Sequence, residues 1–287
     1  MTVRVIADHA AQALVARGFA PEDARRDVSV LARHVLGWTM ADWVTNAGAP
    51  SPTGFAESLQ RLVLRRMTHE PVAYITGVRE FYGREFMVTR AVLIPRPETE
   101  GIIEAIPAGL PAAHGSGTPV ILDIGTGSGC LAITLALEHP AARVIATDVS
   151  QDALSIAAQN AQRLGAHRAE FVEASLVPNG LPPLDLIVTN PPYVPERDRE
   201  SLSPDVRDFE PAQALFAGED GLGVIRDLLP EARAALKPGG ALIMEIGAGQ
   251  AEAVAALVAG AGLRLITIRP DLQGIPRIAV AVRPPQS

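Results

Sequence analysis

The spacing of apolar residues divides the chain into regions with different predicted secondary structure. In residues 1–70 apolar positions recur every three or four residues, which is the spacing of amphipathic helices. Helices are predicted over Val3–Arg17, Pro21–Leu36, Met40–Val44 and Thr53–Thr68. Because each is short and has one apolar face, we expect a small bundle. Residues 71–94 carry strand-forming residues around Gly77 and Gly83, which predicts a β-hairpin linker.

Strand and helix patterns alternate over residues 95–287. Strands are predicted at Val120–Ile124, Arg143–Thr147, Ala169–Val172, Leu184–Thr189, Ala241–Glu245, Leu263–Arg269 and Arg277–Val282. Helices are predicted near Pro97–Ile106, Gly129–Glu138, Gln151–Leu164, Gly221–Leu236 and Gln250–Ala261, with loops or turns at Leu110–Thr118 and Lys237–Gly240. The alternation predicts an α/β fold with a mainly parallel sheet and helices on both faces.

Composition narrows the class of protein. The 287 residues are 48% hydrophobic and 20% charged, as expected of a globular protein with ample core, and no apolar run reaches the ~18 residues of a membrane span. A net charge of −7 with one lysine, Lys237, argues against tight nucleic-acid binding. The single cysteine, Cys130, excludes an internal disulfide and is typical of the cytoplasm, and the six scattered histidines predict no metal site.

A first candidate site follows the predicted strand Leu184–Thr189. It consists of the tetrapeptide Asn190-Pro191-Pro192-Tyr193. Prolines cannot donate to a sheet, so the chain must leave it at the carboxyl end of the strand, where α/β proteins bind ligands. The Asn190 side-chain oxygen and the Pro191 carbonyl can each accept an N–H, and Tyr193 can stack on a flat group. We interpret the tetrapeptide as a clamp for a planar nitrogen that is methylated; an ordinary turn after the strand is the alternative.

A second candidate site is a glycine-rich loop between a strand and a helix. Its residues are Gly125-Thr126-Gly127-Ser128-Gly129. Glycines let the backbone pass close to a ligand, and Cys130 replaces the last glycine of the dinucleotide fingerprint, so the loop suits a ligand without phosphates. The next strand ends at Asp148, an acid that can bind both hydroxyls of a ribose. Asp148 or Ser150 could instead cap the following helix, and Ser150 is the better-placed cap.

Five motifs occur together and in order along the chain. They are Glu70-Pro71-Val72-Ala73-Tyr74-Ile75-Thr76-Gly77, Phe81-Tyr82-Gly83, Ile94-Pro95-Arg96-Pro97-Glu98-Thr99-Glu100, Asn190-Pro191-Pro192-Tyr193 and Ala217-Gly218-Glu219-Asp220-Gly221-Leu222. The combination resembles the bacterial peptide chain release factor glutamine methyltransferases (the PrmC family, formerly HemK). The resemblance extends over nearly the whole chain. It implies a class I methyltransferase fold, with a Rossmann-like, mainly parallel seven-stranded sheet.

The resemblance also implies the reaction and the roles of site residues. The family transfers a methyl group from S-adenosyl-L-methionine to the side-chain amide N5 of the glutamine in the Gly-Gly-Gln motif of class 1 release factors. By resemblance, the loop Gly125–Gly129 and Asp148 bind the cofactor. The segment Glu173-Ala174-Ser175 stands where the family usually has an aspartate and an aromatic residue near the adenine. Asn190, Pro191, Pro192 and Tyr193 are implied to hold the glutamine, with Asn190 also beside the cofactor.

Three domain assignments and several alternatives complete these expectations. Residues 1–70 are expected to dock the release factor, or to be a structural cap; residues 71–94 link them to the methyltransferase domain, 95–287. We expect a monomer with no metal, no membrane contact and no direct nucleic-acid binding. One alternative is methylation of an exocyclic nitrogen of a flipped DNA or RNA base, stacked on Tyr193. A nicotinamide oxidoreductase is disfavoured by Cys130, and a non-catalytic binding module by the complete tetrapeptide.

Overall fold

A computed structural model describes residues 1–106 and 118–285. The chain forms two compact units, one made of Met1–Val78 with Ser203–Phe209 and the other of Arg79–Leu202 with Glu210–Ser287. Most of the predicted loop Leu110–Thr118 lies outside the described residues. No helix in the described ranges is long and apolar enough to cross a membrane.

The first unit is helical, as the apolar spacing predicts. Its helices are α1 (Val3–Val15), α2 (Pro21–Leu36), α3 (Met40–Asn46), α4 (Phe55–Arg66), α5 (Val72–Thr76) and the later α9 (Pro204–Phe209). Pro21 occupies the first turn of α2 and Gly37 ends it in the left-handed conformation. The core consists mainly of apolar side chains from α1, α2 and α4. The same unit contains a buried ion pair between Arg66 and Asp27 (2.8 Å).

The predicted hairpin is shorter than expected. Val72–Thr76 is a helix, so the strand predicted at its position is wrong. Pro71 begins this turn and Gly77 ends it with a φ of 78°, and these two caps determine the conformation more strongly than the strand-forming residues between them. The hairpin itself pairs β1 (Val78–Phe81) with β2 (Arg84–Met87) through Tyr82 and Gly83, which both have positive φ.

The second unit is built on a seven-stranded sheet, which confirms the predicted fold class. Its strands are β3 (Val120–Ile124), β4 (Arg143–Asp148), β5 (Glu170–Glu173), β6 (Leu184–Thr189), β7 (Leu236–Glu245), β8 (Arg264–Pro270) and β9 (Pro276–Val282). Their order is β5-β4-β3-β6-β7-β9-β8. Within this sheet β9 runs antiparallel to both β7 and β8, and the other described neighbours pair in parallel.

Helices cover both faces of this sheet. They are α6 (Glu100–Glu104), which follows a 3₁₀ turn at Pro97–Thr99, and α7 (Cys130–Glu138), α8 (Gln151–Leu164), α10 (Gly223–Ala235) and α11 (Ala251–Gly260). Alternate residues of each central strand enter opposite cores: Ile121 packs with α7, whereas Leu122 packs with α10 and α11. The buried strands are therefore mainly apolar on both faces, as in other parallel sheets, with Asp123 in β3 and Asp185 in β6 as buried acids.

The predicted turn at Lys237–Gly240 lies inside β7, which begins at Leu236 rather than at Ala241. Leu184 pairs with Leu236 and Leu186 with Ala241, so the proline and glycines bulge out between two paired positions. Helix α10 does end just before this segment, at Ala235.

The register of the sheet determines where its functional edge lies. Ile124 pairs with Thr147 on one side and with Thr189 on the other. The three strands therefore end side by side. Gly125 and Asn190, which follow β3 and β6, and Asp148, the last residue of β4, lie at one edge.

Candidate active site

A cavity of about 220 Å³ opens at this carboxyl edge of the sheet. It brings together many of the predicted site residues: Gly125, Gly127, Asp148, Ser175, Asn190, Pro191 and Pro192. Residues 91–93, which precede the Ile94–Glu100 motif, also line it and were not predicted. The two candidate sites found in the sequence therefore form one site in the second unit.

The other predicted residues of the glycine-rich loop lie beneath its surface. Thr126 and Ser128 are buried, and the Thr126 hydroxyl donates to Asp123 Oδ2 (2.6 Å). Gly129 has a φ of +82°, and a Cβ there would lie 2.8 Å from Ile133 Cδ1 and 3.1 Å from Ala157 Cβ. A side chain at this position would therefore force the loop away from α7 and α8, so Gly129 supports the site through packing.

Asp123 is a buried acid that sequence reasoning did not single out, although an acid within an apolar strand could have indicated it. Its Oδ2 accepts from Thr126 Oγ1 and from the backbone N–H of Ala132 (3.1 Å). Its Oδ1 is buried and has no hydrogen-bond partner among the described residues. Burial raises the pKa of Asp123 to about 7 against the opposing effect of these hydrogen bonds, with a smaller contribution from the negative charge of Asp148.

Asp148 connects the glycine-rich loop to the end of β4. Its Oδ2 accepts from the backbone N–H of Gly127 and its Oδ1 from that of Ser150, both at 2.9 Å. Ser150 is the cap of α8, because its hydroxyl accepts from the backbone N–H of Ala153 (3.2 Å). Asp148 is thus free of the capping role and lines the cavity with an oriented carboxylate.

The three residues predicted near the adenine have different surroundings. Glu173 is exposed and accepts from Gln151 Nε2 (2.5 Å), and the Ala174 N–H donates to the Asp148 carbonyl (3.1 Å). Ser175 alone of the three lines the cavity. Contact of Glu173 with an adenine therefore stays a prediction.

A chain of hydrogen bonds runs behind the Asn190-Pro191-Pro192-Tyr193 tetrapeptide. Asn190 Nδ2 donates to Thr99 Oγ1 (3.0 Å), and the Thr99 hydroxyl donates to Glu245 Oε2 (2.6 Å). The Tyr193 hydroxyl donates to the other oxygen of Glu245 (3.0 Å). Thr99 and Glu245 were not identified from the sequence, although Thr99 belongs to one of its motifs. No local pattern shows that two residues 146 positions apart are in contact.

The carboxyl group at the end of this chain, that of Glu245, is buried. Glu245 is 1% exposed, and burial raises the pKa of its carboxyl group above the usual value. Burial also raises the pKa of Tyr193, and the negative charge of Glu245 adds to the increase. Tyr193 is therefore a neutral phenol that donates a hydrogen bond. Tyr193 does not line the cavity, so its stacking on a substrate stays a prediction.

Two residues, Gly221 and Gln250, contact the backbone carbonyl of Tyr193 and fix its position. Gly221, from the Ala217–Leu222 motif, has a φ of +75°, and a Cβ there would lie 2.3 Å from the Tyr193 carbonyl oxygen. Gln250 Nε2 donates to the same carbonyl (3.0 Å). The motif is thus explained by the close approach of two backbone segments, which only glycine allows.

A third buried acid, Glu210, holds the segment that precedes Thr99. Glu210 accepts from the Ile94 N–H (3.2 Å) and from Arg96 Nη2 (2.5 Å), and its side chain is 1% exposed. This arrangement orders the Ile94–Glu100 motif beside the cavity. No cluster of three or more histidine, cysteine or acidic side chains that could hold a metal exists in the described part of the chain.

Comparisons with known proteins match two domains along the chain. Residues 6–77 match the PrmC N-terminal domain, and residues 110–204 match the methyltransferase small domain. Among solved structures, a methyltransferase from Pyrococcus furiosus is 17% identical, with a TM-score of 0.52 over 78% of this chain and 98% of its own. The hMettl16 catalytic domain is 16% identical, with a TM-score of 0.58 over 75% of this chain and 81% of its own. At such low identity these two structures support the fold alone.

Relatives in sequence are much closer. The release factor glutamine methyltransferase of Cereibacter sphaeroides is 42% identical over 92% of each chain. That of Neisseria gonorrhoeae is 43% identical over 88% of this chain and 92% of its own, and that of Geobacter sulfurreducens is 39% identical over 96% and 95%. The resemblance found in the motifs is thus confirmed over both units: this chain belongs to the release factor glutamine methyltransferase family.

Proposed function

We propose that this protein transfers a methyl group from S-adenosyl-L-methionine to the side-chain amide N5 of the glutamine in the Gly-Gly-Gln motif of class 1 release factors. Relatives at 39–43% identity carry the name of this activity. The observation that carries the proposal is the orientation of Asn190. Its amide nitrogen is bound to Thr99, so its oxygen remains to accept an N–H at the cavity.

The cofactor side of the cavity fits S-adenosyl-L-methionine. Gly125 and Gly127 line it with φ of +71° and +54°, and no atom lies within 4 Å of where a Cβ would stand. The open backbone of the loop Gly125–Gly129 would hold the cofactor. Asp148 would bind its ribose hydroxyls, and the segment Glu173–Ser175 would contact its adenine. The bound cofactor supplies an electrophilic methyl group on a cationic sulfonium.

The tetrapeptide acts on the nucleophile. The lone pair of an amide nitrogen is delocalised, so its two N–H groups must be held in place for the nitrogen to turn its lone pair toward an electrophile. Asn190 Oδ1 accepts one N–H, the Pro191 carbonyl accepts the other, and Tyr193 stacks on the amide plane. No general base is needed before transfer. Orientation of this kind lowers a barrier by about 7–11 kcal/mol in favourable cases.

The remaining parts of the molecule support a protein substrate. We infer that the bundle at residues 1–70 docks the release factor, with residues 71–94 as the link to the methyltransferase domain 95–287. The net charge of −7 disfavours direct binding of nucleic acid. We infer that the enzyme works as a monomer in the cytoplasm, where its single cysteine stays reduced.

Transfer of a labelled methyl group tests the proposal. The protein is incubated with labelled cofactor and either a purified release factor, the same factor with alanine in place of the Gly-Gly-Gln glutamine, or DNA and RNA. We expect one methyl group on the glutamine of the first substrate, mapped by mass spectrometry, and none on the others. Label on nucleic acid, or on the alanine variant, would overturn the proposed substrate.

A further inference from the structure

The side chains behind Asn190 determine which of its two amide atoms meets the substrate. We propose that Thr99 and Glu245 are positioning residues that hold the Asn190 carboxamide with its oxygen toward the cavity. They thereby select a substrate group that donates N–H over a carboxylate or carbonyl of similar shape. This inference rests on the proposed function and adds two residues that do not touch the substrate.

The direction of the hydrogen bonds follows from counting protons. The Thr99 hydroxyl has one proton, and its 2.6 Å distance to Glu245 Oε2 is typical of an O–H that donates to a carboxylate. The Tyr193 hydroxyl occupies the other Glu245 oxygen. Thr99 Oγ1 is then left with lone pairs only, so the Asn190 atom 3.0 Å away must be the N–H donor.

The opposite orientation of Asn190 has a clear cost. With Glu245 ionised, a Thr99 hydroxyl that donated to the Asn190 oxygen would leave Glu245 Oε2 without a donor. Thr99 is 2% exposed and Glu245 is 1% exposed, so water cannot replace the lost bond. Asn190 would also turn its NH₂ group toward the cavity, where the two N–H groups of a glutamine amide would meet a donor. The buried carboxylate of Glu245, acting through Thr99, thus leaves the Asn190 oxygen to accept a hydrogen bond at the cavity.

Substitutions at Thr99 test the role of this chain. Thr99→Val keeps the shape and removes the hydroxyl, and Thr99→Ser keeps the hydroxyl. We expect Thr99→Val to lower kcat about 10- to 100-fold, by analogy with residues that orient metal ligands, and Thr99→Ser to recover most of the loss. The dissociation constant for the cofactor should stay unchanged in both variants, because Thr99 does not line the cavity.

Thr134 offers a matched control. It is also fully buried, but its hydroxyl has no hydrogen-bond partner in the described structure. Thr134→Val makes the same chemical change at a site away from the cavity, so kcat should equal that of the wild type. Equal kcat in Thr99→Val and Thr134→Val would overturn the inference.

Nuclear magnetic resonance of the Asn190 side chain gives a readout that does not depend on turnover. With the assignment taken from the missing signals in Asn190→Ala, we expect slow exchange of the Asn190 NH₂ protons in the wild type. Exchange should be faster in Thr99→Val, and also in Glu245→Ala. Unchanged NH₂ signals in Thr99→Val would refute the positioning role. A wild type that methylates no glutamine would instead refute the proposed function, which separates the two failures.

Discussion

The two sides of the active-site cavity are built in different ways. The cofactor side consists of backbone: the loop Gly125–Gly129 turns at the end of β3, and Asp148 fixes it from 21 residues away. The substrate side depends on side chains that are far apart in sequence. Asn190 is held by Thr99, 91 residues away, and Thr99 by Glu245, 146 residues away. Binding and turnover should therefore respond to different substitutions.

The largest effect is expected on the substrate side. Asn190→Ala removes one acceptor for the substrate amide and should lower kcat roughly 10²–10³-fold, as when one hydrogen bond to a reacting group is lost elsewhere. Affinity for the cofactor, measured by calorimetry, should stay close to that of the wild type. A variant that turns over as fast as the wild type would refute the role of Asn190.

The buried carboxyl group of Asp123, beneath the glycine-rich loop, should make the stability of the folded protein depend on pH. Asp123 has a pKa of about 7 in the folded protein, against 3.8 for a free side chain. Because folding favours its protonated form, its contribution to stability is present at low pH and is lost as pH rises toward 7. Between pH 5 and pH 7 the loss is about 2–3 kcal/mol.

Urea unfolding of the wild type and of Asp123→Asn measures this contribution. The neutral amide keeps an oxygen for Thr126 and does not titrate in this range. The wild type should lose stability relative to the variant as pH rises from 5 to 7. Parallel curves would show that the Asp123 carboxyl does not titrate there.

On the cofactor side, Asp148→Ala should weaken binding rather than turnover. It removes the acceptor for the Gly127 N–H and the proposed ribose ligand, and bonds to charged groups are worth about 1.5–3 kcal/mol. We expect the dissociation constant for the cofactor to rise roughly 10- to 100-fold, with kcat nearly restored at saturating cofactor. Asp152→Ala, an exposed acid on α8, is the matched control. Equal affinities in the two variants would contradict the ribose assignment.

A smaller effect is expected where the two backbones meet behind the tetrapeptide. Gly221→Ala would push against the Tyr193 carbonyl, so kcat should fall about tenfold through misplacement of the tetrapeptide. Gly165 has a similar positive φ, at +81°, but open space around the position of an added methyl group. Gly165→Ala should cost stability without lowering kcat. Equal kcat for both variants would show that this contact does not position Tyr193.

The same contrast explains what the sequence could predict. The seven strands and the glycine-rich loop depend on local patterns, so the sequence predicts six of the strands to within one residue at each end. The exception is β7, which begins at Leu236 rather than at Ala241. The strand predicted at Val72–Thr76 failed because its two flanking caps, Pro71 and Gly77, favour a helical turn. The contacts of Thr99 with Asn190 and Glu245 join residues that only the tertiary fold brings together. No periodicity or spacing along the chain contains that information.

The most direct test of the account is a neutron structure of the complex with the demethylated cofactor and a release factor. Neutron diffraction locates deuterium, so it distinguishes the nitrogen from the oxygen of the Asn190 amide, which X-ray data at ordinary resolution do not. We predict Asn190 Oδ1 within about 3.2 Å of the glutamine amide nitrogen and Nδ2 still bound to Thr99. An Asn190 NH₂ group that faces the glutamine nitrogen would contradict the account.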